Sequence, residues 1–392
     1  MTPANRFSEK ISMNSRRLWK KKHPQLGHLD IELTERCDNN CVHCSINLPE
    51  NDVRAKEREL KTGEWRRVLQ DAAELGALSV RFTGGEPLLR DDFAELYVFA
   101  RKLGIKIIVF TNARKISPEL ADLLARIPPL ERIEVSVYGM RRESYEAVSR
   151  IPGSFDECRR GLDLLRRNHI PFAIKGALLP ANKNEIDEFE SWAMTLSGIG
   201  HPPSFSLNFE LRSRRDSAAK NTFIKNLRAT PEETVAILNR HRETYRKGIR
   251  EFCMKFIGPP GVELFHCGAG LGGCLDAYGQ FQPCLALRAP ELSWNLREVS
   301  LRDALTRGLP RLRKMTAVNP VYLQRCAVCF LKGLCSQCPA RSWAEHGSLD
   351  SPVEYFCAVA HAQAVDLGLL AEGEHGWEVT DWRDRISRLS AR

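Results

Sequence analysis

The placement of thirteen cysteines in 392 residues constrains this chain more than any other feature. Cys37, Cys41 and Cys44 stand together near the start, and Cys267, Cys274, Cys284, Cys326, Cys329, Cys335, Cys338 and Cys357 near the end. Cys158 and Cys253 stand alone and read as buried or incidental thiols. In an oxidising compartment such a count reads as disulfides. The first thirty residues, however, are polar and basic and contain no apolar signal-peptide core. The best apolar run, Ile105–Phe110, is only strand length, far short of the roughly 20 residues that cross a bilayer. A cytoplasmic chain without a membrane partner is expected, and cysteines grouped this way in a reducing compartment point to metal.

Lys and Arg total 58 against 49 Asp and Glu, a net charge of +9. Part of the excess is local, at Arg16, Arg17, Lys20, Lys21 and Lys22 and again at Arg212, Arg214 and Arg215. No aromatic residues interleave with these as a single-strand platform requires, so both runs read as solvated surface rather than a nucleic-acid site.

From about residue 28 to 210 strand and helix alternate. Apolar, β-branched stretches predict strands at 28–34, 78–83, 105–111, 132–138, 172–179 and 204–209. Amphipathic patterns predict helices at 65–75, 93–103, 118–127, 155–168 and 186–196. The fold class is α/β with parallel pairing and right-handed crossovers. The pattern alone leaves open whether six such units wind as an open sheet or as part of a barrel. Residues 211–266 read as a charged helical bridge, clearest at 231–247. From Cys267 the texture turns to short segments, glycine and cysteine, and the stretch after 360 reads as a tail.

Three motifs carry chemistry. Cys37-Asp-Asn-Asn-Cys41-Val-His-Cys44 follows the first strand; three thiolates so close can ligate three irons of a [4Fe–4S] cluster and leave the fourth without a protein ligand, whereas an electron-transfer ferredoxin supplies a fourth cysteine. A three-cysteine zinc site is the rival, but the next thiol is Cys158 and no histidine beyond the internal His43 is well placed. Thr83-Gly84-Gly85-Glu86-Pro87 ends the second strand, with glycines that admit close backbone approach and a carboxylate that can accept from an ammonium group. The third group is Cys267-x6-Cys274-x9-Cys284, Cys326-x2-Cys329-x5-Cys335-x2-Cys338 and Cys357. Only five residues separate its two Cys-x2-Cys pairs, too few for a zinc ribbon, where about 15–20 intervene.

The first two motifs together resemble the radical S-adenosylmethionine (SAM) superfamily. That resemblance implies a partial (β/α)6 barrel and a catalytic loop of Cys37, Cys41 and Cys44 holding the SAM-binding cluster. Gly84, Gly85, Glu86 and Pro87 would bind the amino group of SAM. Thr111, Asn112, Ser136 and Arg150 would line the cofactor, and His43 would lie against its adenine. The C-terminal cysteines resemble the SPASM extension of peptide-maturing relatives. By that resemblance Cys267, Cys274, Cys284 and Cys338 hold one auxiliary [4Fe–4S] cluster and Cys326, Cys329, Cys335 and Cys357 a second. The two-residue gap between Cys335 and Cys338, where the family has three, departs from the pattern.

The domains expected are a basic arm (1–27), a radical SAM barrel (28–210), a bridge (211–266), a SPASM domain (267–360) and a tail (361–392). The function implied is cleavage of SAM to a 5′-deoxyadenosyl radical that takes hydrogen from a substrate. A ribosomal precursor peptide is favoured as that substrate; the alternative is a small molecule such as a tetrapyrrole side chain or a cofactor precursor. Many relatives carry a peptide-binding domain ahead of the barrel, and 27 residues are too few for one. A separate small peptide-recognition protein is therefore expected, and an electron donor such as flavodoxin or ferredoxin.

Overall fold

The computed structural model describes residues 26–196, 203, 205–207, 209–249, 251, 256–265, 267 and 272–390. Cys253 and the basic run at 16–22 lie outside them. The chain divides into two units: 1–209 with 268–285 and 290–310, and 210–267 with 286–289 and 311–392.

In the first unit, six strands pair parallel in chain order: β1 (His28–Thr34), β2 (Ser79–Gly84), β3 (Lys106–Thr111), β4 (Leu130–Val137), β5 (Phe172–Ala177) and β6 (Phe205–Ser206). A doubly wound sheet reverses its strand order at a switch point; an order that never reverses is the winding of a barrel. The fold is thus a partial barrel, as the resemblance implies. Helices α1 (Val53–Arg58), α2 (Thr62–Glu74), α3 (Phe93–Lys102), α4 (Pro118–Arg126), α5 (Arg142–Ser149), α6 (Ser154–Arg167) and α7 (Ile186–Met194) fill the crossovers. At α1 Asp52 accepts from the Ala55 amide, and at α4 Ser117 accepts from the Leu120 amide while Pro118 pre-sets the first turn.

Successive strand residues point to opposite faces, and register partners share one. Leu29, Ile31, Leu33, Val80, Phe82, Ile107, Val109, Ile133 and Val135 form one buried apolar face. The other is charged: Asp30 faces Arg81 in register with an ion pair of 2.6 Å, and Phe110 partners Glu134. Lys175, in register with Ser136, reaches Glu134 and lies 4.3 Å from the Phe110 ring centroid, with the Arg81 guanidinium 4.6 Å from the same centroid. An inner face of this composition is a lining, not a packed core.

Two sequence boundaries need correction. The region from 267 does not begin a separate domain: β7 (Gly273–Leu275) pairs parallel with β1, and β8 (Gln280–Gln282) and β9 (Trp294–Asn295) extend the same sheet antiparallel. Gly279, at φ +91°, makes the tight turn between β7 and β8, with Asp276 accepting from the Tyr278 and Gln280 amides. The stretch after 360 is no tail either. In the second unit the helices include α8 (Ala218–Leu227), α9 (Pro231–Leu238), α10 (Arg242–Gly248), α11 (Pro339–His346), α12 (Glu354–Asp366) and α13 (Trp382–Ser390), and a core that includes Phe330, Leu331, Ala364, Leu367, Leu369, Leu370 and Ile386 draws on α12, α13 and the turns outside them. The helix expected at 231–247 is broken at Asn239–His241, where His241 leaves helical backbone angles. The basic knot is used internally, with Arg212 on Asp216 at 2.6 Å and Arg215 donating to the Trp343 carbonyl at 2.9 Å.

Candidate active site

Residues 38–47 form a loop closed by a short parallel pairing of Arg36–Cys37 with Leu48–Pro49, so the three cysteines project from a ring rather than an open strand. Ring and barrel are tied at many points. The Asn40 and Val42 amides donate to the carbonyls of Ser149 and Val148 at the end of α5 (2.9 and 3.0 Å). Arg150, left-handed at φ 57°, grips Asn40 twice at 2.6 Å. Asn112 donates to Asp38 at 2.7 Å, while Arg114 reaches the Asp38 carbonyl, the Asn39 side chain (2.9 Å) and Glu157 (2.6 Å). Arg150 therefore holds the cysteine loop, a role distinct from the cofactor lining expected of it.

The Gly84–Glu86 segment lies against residues 34–36. The Gly85 amide donates to the Thr34 carbonyl at 2.7 Å and the Glu86 amide to that of Arg36 at 2.9 Å. A Cβ on Gly84 or Gly85 would meet those two carbonyl oxygens at 2.1 or 2.2 Å, so both glycines are required by the passage of the cysteine strand. Glu86, 1% exposed, accepts from Thr111 Oγ1 (2.8 Å), the Asn112 amide (2.7 Å) and the Leu88 amide (3.1 Å). A carboxylate has about four acceptor positions, so one remains for a ligand donor. Burial, then the neighbouring Asp38, pushes the Glu86 carboxyl up to about 8, against those three donors. An ammonium group beside it would favour the ionised form. Pro87 is buried at the head of the next turn, and the His43 ring sits 5.4 Å from Tyr138 and 5.0 Å from Phe209. Ser136 projects from the charged face of β4.

Three thiols with no fourth beside them among the described residues suit a cubane cluster that keeps one iron for another ligand. Burial, with Glu86, Cys41, Asp38 and Cys44 adding their charge, pushes the Cys37 thiol well up. Asn39 Nδ2 is buried in the same loop without a hydrogen-bond partner among the described residues, so the residues present fit a bound polar group. Cys158, by contrast, is buried on α6 with its thiol pushed up to about 11, an inert group as expected.

In the second unit Cys326, Cys329, Cys335 and Cys357 line one cavity of about 530 Å³, counted out to solvent, with Arg325, Lys332, His361 and Trp377. Among the described residues no three His, Cys, Asp or Glu side chains draw together as a single ion requires. Four sulfurs spaced around a cavity suit a cluster. Cys274 and Cys284 belong to the first unit, Cys267 and Cys338 to the second. The sequence reading missed Arg36, Glu59, Arg90 and Arg114, and only the strand-end position of Arg114 offered a signal.

A partial barrel with a three-cysteine loop and a buried carboxylate at the strand ends defines a class of SAM-cleaving iron–sulfur enzymes. Residues 31–193 match the radical SAM superfamily. The chain is 30% identical over 311 residues to PqqA peptide cyclase of Xanthomonas euvesicatoria, covering 76% of this chain and 78% of that protein. It is 26% identical over 329 residues to AdoMet-dependent heme synthase of Methanosarcina barkeri, covering 81% and 92%. The fold is similar to that of Streptococcus suis SuiB bound to S-adenosylmethionine, with a TM-score of 0.61, 18% identity and 85% and 75% coverage. The chain belongs to the radical SAM superfamily and carries a SPASM-like cysteine-rich extension. Membership implies a [4Fe–4S] cluster and S-adenosylmethionine. Among the described residues no helix is long and apolar enough to cross a membrane.

Proposed function

We propose that this enzyme modifies a ribosomally made precursor peptide, with two auxiliary [4Fe–4S] clusters held by the eight C-terminal cysteines. The observation that carries the reading is the four-cysteine cavity in the second unit of a chain whose first unit holds the three-cysteine loop and Glu86. The similarity to a peptide cyclase favours a peptide as substrate. When bound, the first cluster and SAM supply a 5′-deoxyadenosyl radical that removes hydrogen from the substrate.

The chain's own residues do the positioning. Cys37, Cys41 and Cys44 hold the first cluster, and Asn112, Arg114 and Arg150 fix their loop. Glu86, its carboxylate steered by Thr111 and Asn112, takes the amino group of SAM. The lining of Asp30, Arg81, Phe110, Glu134 and Lys175 meets the substrate and excludes bulk water. A flavodoxin- or ferredoxin-type protein supplies the electron. Because ordering a flexible leader costs about 2–5 kcal/mol, a separate recognition protein presents the peptide.

The similarity to a heme synthase across 92% of that protein supports a second reading, a tetrapyrrole substrate. Anaerobic incubation with SAM, reductant and the precursor peptide encoded beside the gene, with and without a candidate recognition protein, separates the two by mass spectrometry. A mass change in the peptide supports the maturase. Turnover of an iron porphyrin with no peptide modified overturns it.

A further inference from the structure

Among the described residues, Cys357 is the one sulfur of its cavity that two side chains approach as donors. His361 lies one turn further along α12, with Nδ1 2.8 Å from the Cys357 carbonyl and 3.6 Å from its Sγ. The Gly376 amide donates to His361 Nε2 at 3.0 Å. A ring nitrogen that accepts carries no proton, so the imidazole proton sits on Nδ1, facing the Cys357 oxygen and sulfur. Arg325 Nη2 donates to the same sulfur at 3.6 Å. Arg325 is held toward that sulfur by two bonds to the exposed carboxylate of Glu354 (2.8 and 2.9 Å) and by the Trp377 ring, whose centroid lies 4.5 Å from its guanidinium. Trp377 stacks at 4.4 Å on His375 and meets the His361 ring edge-on at 5.2 Å, so both donors share one aromatic support. Cys335, by contrast, receives the backbone amide of Gln337 at 3.5 Å.

We infer that Arg325 and His361 are positioning residues that set the reduction potential of the cluster held by Cys326, Cys329, Cys335 and Cys357. Donors aimed at a ligand sulfur stabilise the more negative, reduced state, so they raise the potential. The inference rests on the auxiliary-cluster reading above.

The test uses the full chain with Cys37, Cys41 and Cys44 replaced by alanine, so that the auxiliary clusters alone remain. This parent, Arg325→Lys, Arg325→Gln, His361→Gln and the double variant Arg325→Gln/His361→Gln are reconstituted anaerobically. Iron and sulfide are counted, and the clusters are titrated by electron paramagnetic resonance against potential. The expected result is an unchanged iron count with one of two signals moving to lower potential. The shift should be larger for Arg325→Gln than for Arg325→Lys, and largest in the double variant. Fully loaded variants that titrate like the parent, or two signals that shift equally, would overturn the inference. Loss of about four irons from Arg325→Lys as well as Arg325→Gln would make Arg325 a structural clamp, which overturns its tuning role. A parent that takes up only one cluster, or zinc, overturns the auxiliary-cluster reading itself.

Discussion

Glu59 is where the cysteine loop and the Glu86 turn are joined, and its removal should show how much that junction holds. Its carboxylate, 3% exposed, accepts Arg36 Nε at 2.9 Å and Nη2 at 3.2 Å, Arg90 Nη1 at 3.3 Å and the Thr34 hydroxyl at 2.5 Å. Arg36 immediately precedes Cys37, and Arg90 follows the Pro87–Leu89 turn. Glu59→Ala leaves the two guanidiniums in different positions. Arg90 keeps Asp92, to which it donates at 2.8 and 2.7 Å. Among the described residues, Arg36, its side chain 7% exposed, then keeps only the Glu50 carbonyl at 2.9 Å and becomes a buried charge without a counter-ion. Breaking one partner from a buried pair costs about 3–5 kcal/mol, a large part of the roughly 5–15 kcal/mol that holds a domain folded. The control is Glu64→Ala, which loses a half-exposed pair with Arg297 at 2.8 Å and an exposed helix-cap bond from the Lys61 amide at 2.8 Å, together about 1–2 kcal/mol. Both are read from urea unfolding of the apo protein by circular dichroism, alongside iron uptake on reconstitution. A Glu59→Ala loss no greater than that of Glu64→Ala would refute the assignment of Glu59 as the buried counter-ion.

Three further outcomes are expected. Glu86→Gln preserves shape but removes the charge beside the SAM amino group; equilibrium dialysis on iron-matched protein should show affinity falling about ten- to a hundredfold, from a charge-assisted bond of about 1.5–3 kcal/mol, and unchanged affinity would mean the amino group binds elsewhere. Replacing Cys326, Cys329, Cys335 and Cys357 with alanine should remove about four of some twelve irons per chain, and a chain that binds zinc there instead would count against the cluster. At Glu185 burial works to raise the pKa, but the Met140 amide, the Ser144 hydroxyl and Arg141 outweigh it and hold the carboxyl below its ordinary 4.5. Its contribution is therefore full above about pH 4.5 and lost as pH falls through the lower folded value. Glu185→Gln should destabilise at pH 7 by about 1–3 kcal/mol, with the gap closing in acid unfolding series.

The core of this fold was legible because β1 to β5 each bury one apolar face, and their β-branched runs stand out from the crossover helices. The cysteine spacing and Gly84-Gly85-Glu86 likewise announced the site from local sequence. The late strands that join the sheet did not, since Gly273–Leu275 and Trp294–Asn295 are too short to show any alternation. Helix α12 buries Phe356, Val359, Ala360 and Ala364 on one face, but Cys357, Ala358, Ala362 and Val365 make the rest of its surface apolar as well, so no one-sided pattern shows in the sequence. The anchors of the cysteine loop escaped for a different reason. Arg36 meets Glu59 across 23 residues and Arg114 meets Asp38 across 76, pairings that only the closed barrel creates.

The pairing of β7 with β1 also bears on how the molecule is made. Leu29, Asp30 and Ile31 acquire their second neighbours only when Gly273, Cys274 and Leu275 arrive. During synthesis one side of the first strand therefore stays open while more than half of the chain is produced. An unpaired strand edge of that kind invites pairing with other chains. The strand that leads into the cysteine loop is thus among the first made and among the last to be completed. A fragment ending before residue 273 would keep every cysteine of that loop and still lack the neighbour its first strand requires.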